Sequence, residues 1–172
     1  IFPSETTAAV AELQTRGVVK VRRKGQSHYV ELADESSVIF RKHLRNLMNP
    51  VSRRFVVDKD ALKEAIYGVV SGTAALSRLT SLSPDACMEY AVSAKAFRKL
   101  KADNPEIERY DEDVVDENVV ILDVWHYNPS VLSEDGIADP ISLYLATKDD
   151  EDERVRIASR KMLERKLGWL MD

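Results

Sequence analysis

The chain has 172 residues and a mass of 19.4 kDa, with 44% hydrophobic and 31% charged residues. That length fits one domain or two small ones at roughly 100 to 200 residues each, and the apolar content is too high and too evenly spread for a disordered chain. No apolar run approaches the roughly 20 residues of a membrane helix. The single cysteine, Cys87, excludes an internal disulfide framework and a multi-cysteine zinc site, so a soluble, cytoplasmic protein without cofactor is expected.

The net charge of −4 hides an asymmetry. Residues 1–54 hold ten Lys/Arg against five acids, whereas residues 55–172 hold 15 against 24. A basic front and an acidic remainder suggest that the first part meets a polyanion and the second keeps the protein soluble or meets another partner. The start at Ile1 rather than a methionine implies further residues upstream.

In chain order, Ser4 to Arg16 reads as a short amphipathic helix. Ser4 stands as its cap, Glu5 complements the helix dipole, Ala8, Val10, Ala11 and Leu13 form the stripe, and Gly17 follows the last turn. The pattern then changes to period two. Val18–Arg22 and Ser27–Leu32 predict a hairpin whose turn carries Arg23, Lys24, Gly25 and Gln26. Arg22, Arg23 and Lys24 crowd like charges together, which a phosphate backbone would relieve.

The segment SETTAAVAELQTRGVVKVRRKGQSHYVEL resembles the recognition helix and wing of winged helix-turn-helix regulators of the MarR and ArsR kind. The resemblance covers about the first 34 residues; the two helices that precede this segment in those families would lie upstream of Ile1. It implies double-stranded DNA as partner, with Ser4, Thr6, Thr7 and Arg16 on the helix and Lys20, Arg22, Arg23, Lys24 and Gln26 on the wing as DNA-binding residues. It also implies a homodimer.

Glu35 to Met48 predicts a linking helix with Val38, Ile39, Leu44, Leu47 and Met48 inward, closed by Asn49-Pro50. The expected domains are therefore 1–48 and 49–172. In the second, Arg53–Val57 predicts a strand, 59–67 and 72–82 helices, 89–93 a strand, 94–102 a helix, and 107–111 and 118–127 strands. Pro140 opens a helix, and a last one runs from about Glu151 to Leu170, with Val155, Ala158, Met162, Leu163, Leu167 and Leu170 buried.

The run VVSGTAALSRLT, then EYAV, DVWHYNP and DPISLYLATKDDEDERV resembles the effector part of abortive-infection antitoxins of the AbiEi group. This implies an α+β chain: a partial winged helix followed by a mixed α/β domain like a degenerate nucleotidyltransferase. It also allows a toxin as protein partner and repression of the chain's own operon.

A working nucleotidyltransferase needs a Gly-Ser turn and paired carboxylates on the next strand for two metal ions. Ser71-Gly72 fits the turn, but Glu89 stands alone on its strand and Asp123 alone on a later one, so no catalysis and no metal are expected. His126 reads as a strand-end imidazole bonded among aromatic residues rather than a base, Cys87 as an idle thiol, and the three histidines lack ligand spacing. The acidic run Asp149–Glu153 reads as a hydrated helix start. The resulting expectation is a DNA-binding regulator; the alternatives are an antitoxin that also represses its own operon, and an active nucleotidyltransferase.

Overall fold

The computed structural model describes residues 4–60, 68–104, 109–110 and 117–168. The chain divides into two units, Ile1–Leu47 and Met48–Asp172.

The first unit begins with α1 (Ser4–Thr15), whose expected stripe is not buried: Ala8, Ala11 and Leu13 are exposed and Val10 is half-buried. Gly17 ends it at φ +72°, with its N–H on Gln14 O and the Val18 N–H on Leu13 O, the paired closing bonds that a left-handed residue after a helix permits. The antiparallel strands β1 (Val19–Lys24) and β2 (Ser27–Leu32) follow, with Val19 opposite Leu32 and Arg22 opposite Tyr29. The strand β1 runs two residues further toward the turn than expected, because Arg23 and Lys24 pair with His28 and Ser27.

The helix α2 (Ser36–His43) is shorter than its sequence suggests and passes into a 3-10 turn over Leu44–Asn46. Leu47 is extended, and Leu47 and Met48 are exposed rather than inward. The residue α2 buries is Phe40, which the expected stripe omits; Val38 points outward. Val19 and Phe40 are the buried hydrophobic residues described in this unit.

The second unit is a mixed sheet in the order β4-β5-β7-β3-β6. Its strands are β3 (Val51–Asp58), β4 (Val69–Val70), β5 (Met88–Ser93), β6 (Arg109–Tyr110) and β7 (Val119–Trp125). β5 and β7 are parallel and the other pairs antiparallel. The expected helix over 59–67 lies largely outside the described residues. The expected strand Arg53–Val57 is longer than its sequence suggests, part of the eight-residue β3 between β7 and β6.

β7 is buried at all seven positions, so both faces of the sheet are covered. On one face Val120, Leu122 and Val124 pack with Val57, Val92 and the Phe97 and Leu100 side of α4 (Ala94–Asp103), and Phe55 stacks on Phe97 at 4.4 Å. Ser93 caps α4 by accepting from Ala96 N–H. A second core joins Val70 of β4 and Ala75 and Leu76 of α3 (Gly72–Leu79) to Leu143 of α5 (Pro140–Thr147) and to Val155 and Met162 of α6 (Glu153–Leu167). Asp139 and Asp152 cap α5 and α6, with Pro140 at the first turn where its missing N–H is harmless. Each such buried aliphatic side chain contributes about 1.5–3 kcal/mol. The chain is thus of mixed α+β class.

Candidate functional site

The first unit carries the sequence-predicted site. Thr6 and Thr7 are exposed on α1, whose first residue is Ser4, Arg16 is exposed in the turn just after it, and Lys20, Arg22, Arg23, Lys24 and Gln26 are exposed on the hairpin. Strand alternation sorts the hairpin residues onto two faces. Lys20, Arg22 and Lys24 share one face with Tyr29 and Glu31; Val19, Val21 and Arg23 share the other with His28, Val30 and Leu32.

A groove of about 620 Å³ lies between α1 and the second face, lined by Thr7, Val10, Ala11 and Gln14 from the helix and by Val21, Gln26, Ser27, His28 and Val30 from the hairpin. The structure therefore brings Thr7 and Gln26 together. Arg16, nine residues after Thr7, points about half a turn away and is held by Glu12 at 2.6 Å. Gln14 and His28, which line this groove, and Tyr29, which lies opposite Arg22, were missed by sequence reasoning.

The electrostatics of the hairpin are one-sided. Glu31 pairs with Arg22 at 3.1 Å, and Arg23 donates through Nε to Gly25 O across the turn, which fixes its guanidinium at the tip. Lys20 and Lys24 have no ion pair among the described residues.

The second unit holds a cluster that lone-residue reasoning did not assemble. Arg54 of β3 donates to both oxygens of Asp123 on β7, at 2.8 and 2.9 Å, and at 3.0 Å to Oε1 of Glu89 on β5. Glu89 Oε2 in turn accepts from Thr73 N–H at 2.5 Å and from Thr73 Oγ1 at 3.1 Å, at the start of α3. Both carboxylates are buried, and Arg54 is half-buried.

The N-terminus of α3, a natural seat for an anion, is thus taken by a carboxylate of the chain itself, and the space between two facing carboxylates is taken by a guanidinium. Burial pushes the Glu89 carboxyl up to about 7, with Arg54 pulling it down and Asp123 adding to the rise. The bond to Asp123 raises the Arg54 guanidinium further, so it stays charged at any ordinary pH.

These residues open on a cleft of about 530 Å³ that also meets Asp149, Asp150 and Glu151. Among the described residues no group of three or more His, Cys, Asp or Glu is placed to hold a metal ion. Asp123 is engaged by Arg54 and not by His126, which is exposed at the end of β7 rather than enclosed among aromatic residues. The Cys87 thiol is buried and pushed up, first by burial and then by Glu89, the reverse of an activated nucleophile.

Comparison with protein-family profiles, with curated proteins and with solved structures gave no match. No helix among the described residues is long and apolar enough to cross a membrane.

Proposed function

We propose that the chain is a cytoplasmic DNA-binding regulator of the winged-helix type, acting as a homodimer, and that its first unit holds double-stranded DNA. The observation that carries this reading is the row Lys20, Arg22 and Lys24 on one face of an exposed hairpin, with Glu31 as the acid on that face. Successive members of the row are about 6.8 Å apart along the strand. Glu31 offsets Arg22, while Lys20 and Lys24 carry no ion pair among the described residues, and a phosphate backbone would supply the missing counter-charge.

In this reading Lys20, Arg22 and Lys24 hold phosphates, while Arg23, fixed at the tip by its bond to Gly25 O, reaches toward a groove. Thr6 and Thr7 approach base edges from α1. Arg16, turned away from Thr7 and paired with Glu12, serves the helix backbone side of the contact. Few phosphates are reached by one copy, which is why the reading includes a dimer.

The second unit is read as a non-catalytic α/β module. Arg54 fills the space between Glu89 and Asp123, and Glu89 itself takes the N-terminus of α3, so both carboxylates are engaged within the chain, which supports a module without nucleotidyltransferase chemistry.

Titration of the full chain with a labelled random-sequence duplex at low salt tests the function. Binding that is lost in the Arg22→Ala, Arg23→Ala, Lys24→Ala triple variant supports it. Equal binding by the variant overturns the assignment of the wing.

A further inference from the structure

A second groove, of about 500 Å³, runs along α6 in the second unit. One wall is the helix face Arg154, Ile157, Ala158, Lys161, Met162 and Arg165, spaced i, i+3, i+4, i+7, i+8 and i+11. From Arg154 to Arg165 this stripe extends about 16 Å, three helical turns. The other wall is the segment Thr80–Ser83 after α3.

The groove is braced from within. Thr80 Oγ1 donates to Leu76 O at 2.7 Å and accepts from Leu82 N–H at 3.1 Å, and Arg165 donates to Leu79 O, tying the segment before the wall to α6. Its floor is apolar: Ile157 is 46% exposed and Leu82 half-buried, with Met162 beneath them in the core. Its rim is cationic. Arg154 is paired with Asp152, whereas Lys161 has no ion pair among the described residues.

We propose that this groove docks an acidic amphipathic helix of a protein partner, its apolar side chains on Ile157 and Leu82 and its carboxylates on Lys161 and Arg165. Charge complementarity selects the occupant. Cations gather here although the chain beyond residue 54 carries 15 basic against 24 acidic groups. A long polyanion such as DNA meets the repulsion of that whole surface. A helix of about three turns feels chiefly the charges within a screening length of about 8–10 Å; here Arg154 is offset by Asp152 and feels Asp85, and Lys161 and Arg165 remain as the cations that line the groove. The apolar floor points the same way, since one helix face supplies anchors at i, i+3, i+4 and i+7 and a phosphate backbone supplies none.

The test uses the full chain and a fluorescent synthetic peptide of about three helical turns, with leucines at the anchor spacing and glutamates elsewhere; a second peptide has lysines in place of the glutamates. The glutamate peptide is expected to bind, more weakly at high salt, and to lose about tenfold in affinity in Lys161→Glu. Lys161 is exposed, and an unchanged circular dichroism spectrum confirms that the variant is folded. Equal binding of the two peptides, or no loss in Lys161→Glu, overturns the proposal. A loss of duplex binding in Lys161→Glu instead of peptide binding assigns the groove to nucleic acid and also overturns it.

Discussion

The Glu89 carboxylate lies where a side chain on Gly72 would have to be: a Cβ built on Gly72 meets Glu89 Oε2 at 1.7 Å. Gly72 also holds φ +54°, a conformation that favours glycine. The two facts have one origin, the close approach of a buried carboxylate to the first turn of α3.

Gly72→Ala is therefore expected to cost about 3 kcal/mol or more, from left-handed strain together with displacement of Glu89. Urea unfolding of the variant measures it. A loss below about 0.5 kcal/mol, the scale of a surface change, would contradict this packing.

Glu89 gives the protein a pH dependence of definite sign. Its folded carboxyl is pushed up to about 7 from an ordinary 4.5, so the folded state holds that proton more tightly than the unfolded state. The stabilisation is complete below about 4.5, falls as pH rises, and is gone above about 7. Glu89→Gln keeps the shape and removes the titration. The wild-type curve of stability against pH should descend relative to that of Glu89→Gln across this window, and parallel curves would count against it.

Arg54 compensates two buried acids at once. Arg54→Met leaves Glu89 and Asp123 facing each other without a cation, at a cost of about 3–5 kcal/mol, the lower end being expected because Arg54 is partly open to solvent. Adding Asp123→Asn to Arg54→Met should recover part of the loss. A double variant no better than Arg54→Met alone would deny the coupling between these two residues.

The first unit has little core, and Phe40 is much of it. Phe40→Ala removes about 3 kcal/mol of burial from a unit with little to spare. Hydrogen exchange should show the β1–β2 amides losing protection while those of β7 keep theirs. Unchanged β1–β2 protection would mean that the hairpin stands without Phe40.

Much of the fold was legible because local chemistry dictates it. Gly17 at a helix end, the lysine-glycine turn at residues 24–25, and Pro140 after Asp139 each announce an element whatever surrounds them. Val69–Val70 was not legible, because two residues have no periodicity and become a strand only through β5. Phe40 was assigned no role because its burial is decided by tertiary packing rather than by the stripe around it.

The cluster in the second unit escaped for a related reason. Arg54 is 69 residues from Asp123 and 35 from Glu89, and sequence gives no measure of that closure. A signal was nonetheless present: Glu89 and Asp123 are each a lone charge inside a run of β-formers, and a charge in a buried strand needs a partner from another strand.

The central claim is that the row Lys20, Arg22 and Lys24 meets the phosphates of duplex DNA. The most direct measurement is the salt dependence of duplex affinity for the full chain and for the Lys20→Ala, Arg22→Ala, Lys24→Ala variant. With each phosphate contact adding about 0.9 to the slope of log affinity against log salt, the variant slope should be shallower by about 2–3. Identical slopes, or no duplex binding by the wild-type chain even at low salt, would contradict the account.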